Sequence, residues 1–286
     1  MRTLLLPITG SDGLEILLAA GLQIARTYDA HLGVLFVRPD PRAAIPFMGE
    51  GLTADAIQDL VDASERQARA RADKARAIFD HAREEAGIVL GDGLSGESGP
   101  TLSWEETTGF IADRVGRAAR LADLTLVAQP GEAASDDAGD ILHEVLFRSG
   151  RPLLLVPPGL PERIVGTVAV AWNGRAECAR TAAAAIPVLQ RADKVIVLRI
   201  DAEHPDRPKL EDFAAYLSRH GIQAEIARRE SDDKSAGGAI LDAARDMGAD
   251  LLVMGAFSHS RWREMVVGGV TRHTIEHTTL PVFMSH

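Results

Sequence analysis

The sequence predicts an α/β fold made of two tandem Rossmann-like domains, each a five-stranded parallel sheet flanked by helices. Three observations carry this expectation. Short, wholly apolar runs alternate with stretches of helical periodicity, and strands that apolar must be covered on both faces. The stretch Leu121-Ala122-Asp123-Leu124-Thr125-Leu126-Val127-Ala128 returns as Met247-Gly248-Ala249-Asp250-Leu251-Leu252-Val253-Met254-Gly255. The stretch Gly150-Arg151-Pro152-Leu153-Leu154-Leu155-Val156 returns more loosely as Thr279-Leu280-Pro281-Val282-Phe283-Met284, which makes the duplication internal.

The first copy opens on an apolar run over residues 3–8 that ends in Thr9-Gly10-Ser11-Asp12-Gly13, a strand delivered into a tight loop. Apolar spacing predicts a helix over 14–28 and a strand over 31–37, which together form a βαβ unit. Residues 54–86 contain neither Gly nor Pro and are rich in Ala, Arg, Asp and Glu, so one long helix with a charged face is expected. Five glycines (87, 91, 93, 96 and 99) make residues 87–100 a loop. Strands over 101–107, 123–128 and 152–156, with helices over 110–120 and 137–148, complete five strands and four helices.

The segment Pro157-Pro158-Gly159-Leu160-Pro161 reads as a linker, dividing the chain into domains 1–158 and 162–286. The pattern then restarts with a strand over 165–172, the turn Asn173-Gly174, a helix over 176–191 and a strand over 194–200. A helix over 210–220, a strand over 223–229, a helix over 236–247 and a strand over 250–255 follow. A helix over about 269–278 and a strand over 281–284 close the copy. Gly10 and Gly174 lie 164 residues apart but Asp123 and Asp250 only 127, so the first copy carries 37 extra residues, in its long helix and glycine loop.

Composition bounds the function. Of the 286 residues, 46% are apolar and 25% charged, which fits two domains each able to bury a core. A net charge of -10 argues against a nucleic-acid sheath. The one cysteine, Cys178, excludes an intramolecular disulfide and reads as a buried structural thiol. The apolar run at the N-terminus is too short for a signal peptide, and no run approaches the length of a membrane span. A cytoplasmic protein that contacts neither membrane nor nucleic acid is expected.

In open α/β sheets a ligand binds beyond the carboxyl ends of the strands. Three features of the second copy point there: Asn173-Gly174 after its first strand, Gly255-Ala256-Phe257-Ser258 after its fourth, and Gly268-Gly269 before its last helix. Glycines let backbone N–H groups approach a phosphate, and a helix N-terminus supplies unpaired donors.

These residues resemble the signature of the universal stress protein family: strand, Gly-x2-Gly-x9-Gly-Ser/Thr, helix, and a last strand opening with proline. Gly255 takes the first glycine, Ser258 stands for the second, nine residues follow, and Gly268-Gly269 occupies the place of Gly-Ser/Thr. The resemblance spans nearly the whole chain. It implies a stress-response regulatory protein, not an enzyme, that binds ATP or a related adenine nucleotide in its second domain, with Mg when ATP is bound. The implied contacts are Asn173, Gly174, Gly255, Ser258, His259, Ser260, Gly268, Gly269, Val270 and Thr271. Asn173 and Thr9 stand where ATP-binding members carry an aspartate. In the first half Ala128-Gln129-Pro130-Gly131 replaces Gly-x2-Gly, and Pro130 removes a backbone donor, so this half is expected to scaffold, to pack as an intrachain pseudo-dimer or to hold another ligand.

No catalytic or metal-ligating residues are assigned. His273 and His277 share a helix face but lack a partner fixed by spacing. Trp104, Trp172 and Trp262 are expected to pack, with Trp172 beside Asn173 the one of functional interest. The competing readings are a nucleotide-free interaction module acting through unidentified protein partners by way of the 54–86 helix, and an enzyme of the wider adenine-nucleotide α-hydrolase-like superfamily. Association of two chains as a homodimer is left open.

Overall fold

The computed structural model describes residues 1–10, 12–40, 53–94, 99–131, 137–201, 204–231, 235–257 and 269–286. These residues form two compact units, Met1–Val127 with Glu132–Ser149, and Ala128–Gly131 with Gly150–His286. Both are α/β.

The first unit contains β1 (Thr3–Ile8), α1 (Leu14–Tyr28), β2 (His31–Arg38), α2 (Ala54–Ala86), β3 (Val89–Leu90), β4 (Thr101–Thr108), α3 (Ile111–Ala119), β5 (Leu124–Ala128) and α4 (Ala138–Arg148). Its strands lie in the order β3-β4-β2-β1-β5, with parallel pairing from β3 to β5. The expected loop over 87–100 therefore contains a short edge strand, β3, whose two residues pair with Thr101 and Leu102.

The long helix α2 follows from its ends and its stripe. Thr53 caps it by accepting the Ala56 N–H at 3.3 Å, and Gly87 ends it in the left-handed conformation (φ 63°) that a side chain would disfavour. Val61, Ala68, Ala72, Ala75 and Phe79 are its buried face. Phe79 lies 5.2 Å from Trp104, which stacks on Phe36, so Trp104 is a packing residue.

The second unit contains β6 (Leu153–Val156), β7 (Thr167–Ala171), α5 (Ala176–Leu189), β8 (Lys194–Ile200), α6 (Leu210–Arg219), β9 (Ala224–Arg229), α7 (Ala236–Asp246), β10 (Leu251–Gly255), α8 (Gly269–His277) and β11 (Val282–Ser285). Its strand order is β6-β11-β10-β7-β8-β9. All neighbours are parallel except β6 and β11, which run antiparallel with Leu154 opposite Phe283. The division between the units thus falls at Ser149/Gly150, ahead of the proline-rich segment read as the linker, because β6 hydrogen-bonds to β11 within the second unit.

The repeated aspartate has the same task in both copies. Asp123 accepts the backbone N–H groups of Arg2 and Thr3, and Asp250 accepts that of Thr167 at 2.7 Å, so each carboxylate ties the start of β5 or β10 to the first strand beside it. A Cβ on Gly166 would collide with the Asp250 carboxylate, which explains glycine immediately before β7.

Candidate functional site

In the second unit the chain runs from β7 outward to β8 and β9 and returns to β10 and β11, so the strand order reverses between β7 and β10. A crevice beyond the carboxyl ends of the strands belongs at such a reversal. A cleft of about 290 Å³ lies there, formed by the ends of β7, β8 and β10 and the first turns of α5, α7 and α8. Its volume is at the lower end of the range for small-molecule clefts.

Six of the sequence-predicted residues fall among the described ones, and five of them line the cleft: Asn173, Gly255, Gly269, Val270 and Thr271. The sixth, Gly174, lies next to Asn173 and adopts φ 73°, a left-handed turn in which a Cβ would come 2.9 Å from that of Arg207. Ser258, His259, Ser260 and Gly268 lie outside the described residues, as does Trp262.

Asn173 shapes the turn into α5. Its Oδ1 accepts the Arg175 N–H at 2.9 Å, and its carbonyl accepts from the Arg207 guanidinium. The side-chain oxygen that stands in place of an aspartate is therefore engaged by the chain itself.

Gly255 is required by packing. A Cβ there would lie 2.7 Å from the Cys178 amide nitrogen and 2.9 Å from Cγ of Glu177, so the end of β10 presses directly on the first turn of α5. The loop is then pinned by the Ala256 N–H to the Ser285 carbonyl. The left-handed residue that follows is Phe257 (φ 48°), a conformation that costs a bulky side chain of order 1–3 kcal/mol. Its N–H donates to the Thr271 hydroxyl oxygen at 3.2 Å, and both residues are buried. Thr271, expected to contact ligand, also holds the loop to α8.

Sequence reasoning missed Glu177 and Arg175. Glu177, at 6% exposure, lines the cleft over Gly255, and no described residue pairs with its carboxylate. Arg175 lines the same wall. The signal was present as Arg-Ala-Glu-Cys immediately after Asn173-Gly174, where the first turn of a helix meets the ligand edge. Cys178 is a free, buried thiol held above its ordinary pKa by burial, with the Glu177 carboxylate adding to the shift. Trp172 closes the base of the cleft, its indole stacked on Phe213 at 3.8 Å and 1°, with Nε1 buried and without a hydrogen-bond partner among the described residues.

The arrangement suits reversible binding. Three helix N-termini and Arg175 offer positive potential, and the apolar residues Ile200, Ile240 and Phe257 offer a surface for a flat ring. Among the described residues no group of three or more His, Cys, Asp or Glu could hold a metal ion, and His273 and His277 stack on each other at 4.3 Å. No helix among the described residues is long and apolar enough to cross a membrane.

The loop of the first half is used differently. Gln129 donates its backbone N–H to the Val156 carbonyl and its side-chain amide to the Ile275 carbonyl in α8, so the chain that replaces Gly-x2-Gly takes part in the packing of the second unit.

Residues 166–286 match the universal stress protein family. Over its whole length the chain is 24% identical to the universal stress protein Slr1230 of Synechocystis, covering 99% of both sequences. Among solved structures, a universal stress protein from Archaeoglobus fulgidus superposes with a TM-score of 0.69 at 16% identity, covering 99% of this chain and 97% of that one. A Pseudomonas aeruginosa protein of unknown function superposes with a TM-score of 0.56 at 15% identity, covering 99% of this chain and 92% of that one.

Proposed function

We propose that this chain, whose residues 166–286 match the universal stress protein family, is a cytoplasmic stress-response regulator whose second unit binds an adenine nucleotide in the cleft between β7 and β10. The observation that carries this reading is the cleft itself. It lies at the reversal of strand order and is lined by the first turns of three helices, α5, α7 and α8.

The residues present fit an adenine nucleotide in most respects. Trp172, Asn173 and Ile200 would face its base and ribose, and the first turn of α8 at Gly269, Val270 and Thr271 would face its phosphates. Mg would accompany bound ATP as a counter-charge. Glu177 is the exception, because a carboxylate beside Gly255 opposes dense negative charge at that end. The role is binding rather than turnover, since the cleft's thiol, Cys178, is buried and held above its ordinary pKa by that burial. The first half, with Gln129 engaged in packing, serves as scaffold.

Mass spectrometry of the protein purified under native conditions tests the reading. An adenine nucleotide released on denaturation from the wild type, and absent from a Gly255→Ala variant that remains folded, is expected. Protein that carries no nucleotide and acquires none on incubation with millimolar ATP, ADP or AMP would favour instead an interaction module acting through protein partners.

A further inference from the structure

On the other face of the same sheet a row of donors lacks acceptors. Arg199, in β8, is 4% exposed, and its Nε and Nη1 hydrogen-bond to nothing among the described residues. Its neighbours Leu198 and Ile200 line the cleft, so strand alternation turns Arg199 to the opposite face, toward α6. The backbone N–H of Trp172 donates to the Leu198 carbonyl, one step past the Ala171–Leu198 pair, which sets it beside Arg199. Its ring rests on Phe213 of α6, and its Nε1 is likewise unpaired. Arg228 of β9 stands opposite Arg199 on the other side, with its Nη2 on the Glu211 carboxylate of α6.

The row therefore holds two guanidiniums and an indole N–H, while the carboxylate that α6 contributes to it among the described residues is engaged by Arg228. A guanidinium cannot lose its proton to escape burial, and a buried unpaired charge is strongly unfavourable. Donors without acceptors, next to an unmatched positive charge, are the complement of an anion.

We propose that Arg199 and Trp172 form a binding site for a small inorganic monoanion of halide size, lodged between β8 and α6 behind the cleft. The site is distinct from the nucleotide site and shares only Trp172 with it. Its occupant neutralises the Arg199 guanidinium and supplies acceptors to N–H groups that the fold leaves unpaired. It is a structural anion, so its occupancy reads out as stability.

The test compares thermal unfolding of the full chain in sodium chloride and in sodium gluconate at equal ionic strength, for the wild type and for Arg199→Gln. With chloride tenfold above its dissociation constant the wild type should melt about 4 °C higher than in gluconate, and the variant should show no difference. Equal melting of the wild type in the two salts, or a full chloride response in Arg199→Gln, overturns the proposal. Crystals of the wild type soaked in bromide give a readout independent of the variant's folding. An anomalous peak within hydrogen-bond distance of the Arg199 guanidinium supports the site, and none there overturns it.

Discussion

Gly255 and Cys178 stand so close that a single methyl group on Gly255 would reach within 2.7 Å of the Cys178 amide nitrogen. The contact joins the end of β10 to the first turn of α5 and so fixes the width of the cleft. The glycine that the sequence assigns to a phosphate loop is demanded first by the meeting of two backbones.

Replacing Gly255 by Ala should therefore cost stability even without ligand, by about 1–3 kcal/mol, as overpacking against backbone does. Denaturant unfolding measures this. A variant as stable as the wild type would mean that the close approach relaxes at no cost.

Thr271→Val keeps the shape of the side chain but removes the acceptor for the Phe257 N–H. With both residues buried, the loss should be about 1–3 kcal/mol, and hydrogen exchange at the Phe257 amide should accelerate. Unchanged exchange there would show that the amide finds another acceptor.

Glu177→Gln removes a negative charge from the cleft wall over Gly255 while preserving shape. At the effective dielectric of a partly closed site, one charge at this range is enough to tighten ATP binding about tenfold, with a smaller gain for AMP. Calorimetric titration of both nucleotides reads the difference. Equal gains for the two, or none, would place the carboxylate away from the phosphates.

His31 accounts for a pH dependence in the first unit. Its ring nitrogens meet the Thr101 and Ser103 hydroxyls, and burial, opposed by the Asp92 charge, holds its pKa below the ordinary 6.5. A histidine whose folded pKa is depressed binds its proton more readily when unfolded. Its contribution is thus whole above about pH 6.5 and is lost as pH falls toward the folded value. The melting temperature of His31→Gln should change less than that of the wild type between pH 7.5 and 5.5. Identical slopes would remove His31 as the cause.

Much of the fold was legible because it rests on periodicity. The limits of α1 and α2 coincide with those expected, since each has an unbroken apolar stripe and a residue with positive φ at its C-terminal end, Asp29 or Gly87. The edge strand β3 was hidden because two exposed residues, Val89 and Leu90, in a glycine-rich stretch carry no alternation to read. The placement of β6 in the second unit was equally invisible, since its antiparallel partner β11 lies more than a hundred residues away. At the site, spacing identified Asn173, Gly255 and the start of α8, which chain direction alone brings to one edge. It could not show that Asn173 Oδ1 and Thr271 Oγ1 are engaged by neighbouring backbone, nor that Glu177 turns inward. Nor could it show that Phe257 adopts a left-handed conformation in the loop (φ 48°).

Isothermal titration of the purified chain with ADP and ATP is the most direct test of the nucleotide cleft in the second unit. The predicted result is saturable binding of one nucleotide per chain, lost in Gly255→Ala. Absence of heat up to millimolar nucleotide, or two equivalent sites per chain, would contradict it.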